Sequence, residues 1–374
     1  MRVEQSTWSE VAGWSEAAQL ADAQLVLLFG DRGAIGNPQL AQELATRWPA
    51  AARVGCSTAG QINGTDVFDD GLIATAVTFK HTRVRTATAR VTAADSAAAG
   101  ATLAQALSEP DLVHVLIISE GLDINGEALV RGLGETLPAT VSVTGGLSAD
   151  GEAFRETLVF CDQAARTNTV AAIGLYGSRL RVGCGSLGGW DPFGPERQIT
   201  RSDGNVLYEL DGQSALALYK RYLGDHAADL PASGLLFPLL LRTREVSAPV
   251  VRTILSVNET DQSLTFAGDV PVGGYVRLMK ANFDRLIDGA VGAGRVSADA
   301  LGGPVELALL ISCVGRRMVL RQRVEEEVEG VRDIVGPGAA IAGFYSYGEI
   351  SPFTPNARCE LHNQTMTVTT LSER

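Results

Sequence analysis

The chain has 374 residues, enough for two or three domains at about 150 residues each, and its 45% apolar and 20% charged content allows a packed core and excludes wholesale disorder. With 31 basic and 43 acidic side chains the net charge is −12, which repels phosphate backbones and argues against nucleic acid as the main partner. No apolar stretch approaches the ~20 residues of a membrane span, the N-terminal segment lacks a signal-peptide pattern, and five cysteines without close pairs suggest neither a disulfide framework nor a zinc site. A soluble cytoplasmic protein is expected, with no membrane contact.

In chain order, Trp8 and Trp14 are spaced to staple an N-terminal helix onto the core. Residues 23–31 form an apolar run ending near a glycine, the pattern of a buried strand. Asn37-Pro38 then opens a helix carrying Leu40, Leu44 and Trp48, Pro49 stops it, and residues 52–62 make the next strand. The order returns at residues 112–121 (strand), Leu129, Leu133 and Leu137 (helix), Pro138 (stop) and residues 141–151 (strand). Residues 183–211, rich in Gly, Pro and Asp, read as a connection. Residues 214–223 read as a helix, and residues 252–257 and 263–266 as a hairpin about a polar turn. A strand at 275–279 and a helix at 283–291 with a glycine exit follow. The third copy comprises the strand 305–315, a helix bearing Val324, Val328, Val331 and Val335, the stop Gly336-Pro337, and the strand 341–350.

Each copy is followed by a further strand (72–79, 157–161 with 170–176, and 359–371). The spacing Gly55-x4-Gly60-Gln61-Ile62 repeats as Gly343-x4-Gly348-Glu349-Ile350. The fold class expected is therefore α/β, with repeated β-helix-β units and mixed, largely parallel sheets in two domains, 1–211 and 212–374. Glycine is enriched, at 41 residues or roughly 11% against an average near 7%, as tight turns and close backbone approaches require.

The segments GCSTAGQI, GGWDPFGPE, RTILSV, LTFAGDVPVGGYVRLM, SCVGRR, GFYSYGEI and LHNQTMTV resemble the FIST family of bacterial sensory proteins, in the order of its N-terminal and C-terminal domains. The resemblance implies an intracellular sensor of a small ligand. A chain of these two domains is also similar to the nitric-oxide-sensing haemoprotein subgroup, which binds haem b and controls a partner histidine kinase. With no kinase, cyclase or receiver signature in the sequence, output is expected through a partner or a homodimer.

The residues expected to form the site are the two glycine-rich corners, the end of the third copy's first strand, and the one histidine in a family motif. Backbone donors and hydroxyls would come from Cys56, Ser57, Thr58, Gly145, Gly146, Tyr345, Tyr347 and Glu349. Arg316 and Arg317 would hold a carboxylate such as a haem propionate and lower the pKa of the adjacent Cys313, unless they pair with Glu325–Glu327 as a solvated face. His362, beside Asn363, is the first candidate for an axial ligand and His81 the second, with Cys56, Cys313 and Cys359 as thiolate alternatives, while His114 reads as a core histidine and His226 as a loop residue. A small metabolite such as an amino acid is the alternative ligand. No catalytic motif is present, and a cysteine enzyme built on Cys313 with His362 as base is a further alternative.

Overall fold

The computed structural model describes residues 1–16, 18–230, 232–243, 249–352 and 357–374. Its centre is built from three units of one plan. In each, a first strand (Leu25–Gly30, Leu112–Ser119, Leu307–Cys313) lies parallel to a second (Ala52–Ser57, Ser142–Leu147, Ala340–Ser346). It is antiparallel to a third (Leu72–Thr78, Thr169–Tyr176, Met366–Glu373). Each sheet is closed on that side by an antiparallel edge strand: Arg2–Ser9, Arg83–Arg90 and Leu180–Leu187. The repeat expected from the spacing is thus present three times, and each crossover supplies one parallel pair within a mixed sheet.

The three units exchange strands in a ring. Val159–Cys161 of the second unit extends the first unit's sheet beside Ala52–Ser57. Gly348–Pro352 of the third extends the second's beside Ser142–Leu147. Gln61–Asn63 of the first extends the third's beside Ala340–Ser346. Three glycines occupy the same place in each copy. A Cβ on Gly55, Gly145 or Gly343 would lie 1.8, 1.9 or 1.9 Å from the carbonyl oxygen of Leu28, Ile117 or Leu310, its neighbour on the first strand. Only glycine allows the two strands to approach so closely.

The helices cover the sheets. Asn37 caps Pro38–Arg47 through Gln39 N and Leu40 N, as the Asn-Pro pair predicts. Ser96–Leu107 packs on Gly126–Thr136, and Phe283–Leu301 on Val324–Val335. Phe283–Leu301 runs ten residues beyond the exit expected at 291. The edge strand Leu180–Leu187 packs so close to it that a Cβ on Gly185 would sit 2.2 Å from Ala293 O.

Two other expectations fail. Trp8 and Trp14 belong to paired strands rather than a helix, because Arg2–Ser9 pairs along Leu72–Thr78 and extends the first sheet. The supposed connection 183–211 is largely strand: it finishes the edge strand Leu180–Leu187 and opens Asp191–Asp203, whose register breaks between Phe193 and Arg197, around Pro195. From there to Lys280 the chain forms a separate lobe with an eight-stranded antiparallel sheet. Its own core contains Leu216, Leu264, Phe266 and Val276. The lobe is inserted between the third unit's edge strand and its first helix. Because Leu180–Leu187 pairs with Met366–Glu373, the third sheet joins the middle of the chain to its C-terminal strand.

Candidate functional site

Each second strand ends in a corner, and the three corners meet at the middle of the ring. Ala59 N donates to Tyr345 O at 2.9 Å, and Tyr345 N to Gly60 O at 2.8 Å. Ala149 N donates to Ser57 O at 2.9 Å, and Tyr347 N to Leu147 O at 3.2 Å. Segments far apart in sequence therefore share one place. Of the backbone donors expected to cradle a ligand, those of Tyr345 and Tyr347 are thus spent on neighbouring corners.

Most of the hydroxyls are spent too. Ser57 Oγ accepts from Leu158 N at 2.9 Å, and Thr58 donates to Gln61 Oε1 at 2.9 Å. Tyr345 is buried and donates to Glu327 Oε1 at 2.8 Å. Cys56, Gly145 and Gly146 lie inside the sheets, where a Cβ on Gly146 would strike Ile311. Glu349 is wholly buried and accepts from Ser346 Oγ at 2.8 Å and Thr365 Oγ1 at 3.0 Å, and burial raises its carboxyl to about 8.

The paired arginines do not form an anion site. Arg316 is fully buried, donates to Glu327 Oε2 at 3.1 and 2.7 Å and to Leu286 O at 2.7 Å, and also reaches Gly188 O. Its partner is Glu327, as the pairing alternative holds, but inside the core rather than on a solvated face. Arg317 bonds Ala59 O and Asp69, bracing the Gly60 corner. The Cys313 thiol is pushed up, not down, because burial and then Glu349 outweigh Arg316.

The histidines are also engaged elsewhere. His362 is 2% exposed with Nε2 2.9 Å from Ser351 O, and burial lowers it to about 4. Beside it Asn363 is buried, its amide without a hydrogen-bond partner. His81 lies beyond the end of its strand, exposed, with Nε2 3.2 Å from Arg179, and so does not point into an apolar cavity. His114 is a satisfied core residue between Ser142 Oγ and Thr144 Oγ1, at 2.7 and 3.1 Å. Among the described residues no group of three His, Cys, Asp or Glu could hold a metal ion.

Open space lies where the lobe faces the ring's centre. Two clefts of about 360 and 480 Å³ share Phe154, Leu255 and Tyr347 as a common wall. Of the thirteen residues expected to contact a ligand, Cys313 and Tyr347 border these clefts. Phe154 and Tyr347 stack at 4.3 Å and 8°. The Tyr347 hydroxyl bonds Asp150 and Gly151 O and accepts from Phe154 N at 3.3 Å, so a third-unit tyrosine organises the second unit's loop. Burial and the bond to Asp150 raise the pKa of that hydroxyl. Phe154 has φ 52°, a left-handed conformation rare for an aromatic residue and typical of functional loops.

Phe154, Leu255 and Leu122 are among the exposed large apolar residues, and all three line the smaller cleft. Sequence reasoning missed them, although an isolated Phe within the charged run Glu152–Glu156 was a usable signal. These residues do not fit haem. Neither His362 nor His81 borders a cleft, and among the described residues both clefts have carboxylates but no Lys or Arg to face propionates.

Family models of the FIST N domain and the FIST C domain match residues 24–213 and 215–352. No curated protein matches. Among solved structures, a cyanuric acid hydrolase from A. caulinodans aligns over 100% of this chain and 99% of its own, at 9% identity and a TM-score of 0.39. A second cyanuric acid hydrolase structure aligns over the same shares, at 9% identity and a TM-score of 0.34. Among the described residues no helix is long and apolar enough to cross a membrane.

Proposed function

The chain belongs to the FIST family, a family of sensory signalling domains that bind small ligands, and from that premise we propose that its ligand occupies the double cleft between the ring of corners and the inserted lobe. The observation that carries this reading is the Phe154–Tyr347 stack. It divides the two clefts, rests on corners from two units, and faces Leu255 of the lobe. A molecule held there touches both bodies at once, so occupancy alters how the lobe sits on the ring, and a partner protein such as a histidine kinase reads that change. The clefts have the size usual for small-molecule sites.

A metabolite fits this geometry better than haem with nitric oxide, because the candidate imidazoles lie outside the clefts and burial holds the Cys313 thiol on the larger cleft's wall protonated. The raised Cys313 thiol weighs against a cysteine nucleophile.

The test is a thermal-shift screen of a metabolite library on wild type and Leu255→Trp. Leu255 is 44% exposed, so the larger ring fills cleft space without entering the core. At a hundredfold excess over Kd a true ligand adds about 2.7 kcal/mol of stability. The shifts vanish in Leu255→Trp while the unliganded melting temperature stays put. Hits that shift both proteins equally contradict the assignment.

A further inference from the structure

The second corner carries a segment that the other two turn without. In each copy the close-approach glycine is followed by an exchanged strand, and the registers match Ile62, Phe160 and Ile350 to one another. Gly55 to Ile62 and Gly343 to Ile350 each span seven positions, whereas Gly145 to Phe160 spans fifteen. The eight additional residues fall between Ala149 and Leu158, form neither helix nor strand, and are exposed from 152 to 156. The base of this insertion is fastened: Asp150 Oδ2 accepts from Arg155 N at 2.9 Å and Glu156 N at 3.0 Å, and Thr157 donates to Glu120 Oε2 at 3.0 Å. Phe154 itself is held more weakly. Its N–H makes a long bond of 3.3 Å to Tyr347, its backbone is left-handed, and its ring is 39% exposed. The seat under that ring is fixed, because Tyr347 is buried, its hydroxyl bonds Asp150 and Gly151 O, and a Cβ on Gly121 would lie 3.2 Å from its Cδ2.

We infer that Phe154 is a plug on an aromatic subsite: a planar aromatic ligand displaces it and stacks on Tyr347 in its place, beside Leu255 of the lobe. This rests on the double cleft being the ligand site. The stack at 4.3 Å and 8° sets the ligand class, because face-to-face contact with Tyr347 suits a flat ring and not a puckered saturated one. On leaving, Phe154 is released from a backbone conformation unfavourable to an aromatic residue, which offsets part of the lost stack. The displaced insertion lies on the surface, so its release carries ligand occupancy outward from the cleft.

The experiment is calorimetric titration of the full chain with 2-naphthol and its saturated counterpart, decahydro-2-naphthol. Wild type binds 2-naphthol at least fivefold more tightly, and Tyr347→Leu binds the two probes alike. A ring stack is worth about two- to tenfold in affinity, so removing the competing ring in Phe154→Ala tightens 2-naphthol by about fivefold. Hydrogen exchange at residues 151–155 of wild type accelerates when 2-naphthol is bound. Weaker binding in Phe154→Ala makes the ring a ligand contact and overturns the proposal, as does binding that survives Leu255→Trp. If Phe154→Ala leaves the affinity unchanged while Leu255→Trp abolishes binding, the plug is wrong and the cleft reading stands. Equal binding of the two probes to wild type refutes the aromatic class. If neither probe binds Phe154→Ala at millimolar concentration the proposal fails, and the metabolite screen judges the cleft separately.

Discussion

Replacing Arg316 by Met tests whether its charge serves the core or a ligand. Arg316 and Glu327 are both fully buried, and the guanidinium holds the carboxylate and two backbone carbonyls. Without it, Glu327 keeps only Ser312 Oγ at 3.0 Å and Tyr345 OH at 2.8 Å, and the carbonyls of Gly188 and Leu286 lose a donor. Removing one partner of a buried pair costs about 3–5 kcal/mol, so Arg316→Met should destabilise the protein by about 4 kcal/mol. Glu327→Gln preserves an acceptor for Ser312 and Tyr345 but leaves Arg316 uncompensated, at about 3 kcal/mol. The double variant has no orphaned charge and should cost about 2 kcal/mol less than the sum. Urea denaturation followed by circular dichroism at neutral pH measures all three. Additive losses, or an Arg316→Met cost below about 1 kcal/mol with ligand binding abolished, would refute a structural role.

The other predictions concern packing, pH and the loop. Gly343→Ala forces a Cβ against Leu310 O and should cost at least about 3 kcal/mol by thermal unfolding, whereas Gly338→Ala, with nothing within 4 Å, should stay within about 0.5. His114 and His362, buried and lowered to about 4, take up protons on unfolding below their ordinary value of about 6.5. Their stability is fully present above about pH 6.5 and is lost as the pH falls toward 4; urea midpoints measured across that range should therefore decline, and less steeply in His114→Gln. Glu349 works in the opposite sense. Its carboxyl, raised to about 8, contributes stability at low pH that is lost as the pH rises from about 4.5 to 8, so Glu349→Gln should gain on wild type by a few (about 2–4) kcal/mol at pH 8. Tyr347→Phe removes the hydroxyl that anchors the 150–154 loop, and hydrogen exchange there should accelerate while the sheets keep their protection.

The repeat was legible because three independent signals coincided in each copy: an apolar strand, a capped or striped helix, and a proline or glycine stop. The edge strands were not. Arg83–Arg90 is made of Arg, Thr and Ala with Val84 as its one large apolar residue, and Leu180–Leu187 is loosened by glycines, so neither has the apolar run that marks a buried strand. The meeting of the corners followed from the repeat, but which side chains face open space did not. Arg316 and His362 have the residue types of a ligand site, yet a partner eleven residues along the chain and the Ser351 carbonyl engage them internally. The open space exists because a lobe inserted after Leu187 faces the corners, and that packing leaves no periodic trace in the sequence.

The most direct measurement is a crystal structure of the full chain with the strongest hit from the metabolite screen. The account predicts density for that molecule against Phe154 and Tyr347 of the ring and Leu255 of the lobe. Density seated instead at His362, or on any surface away from the two clefts, would contradict it.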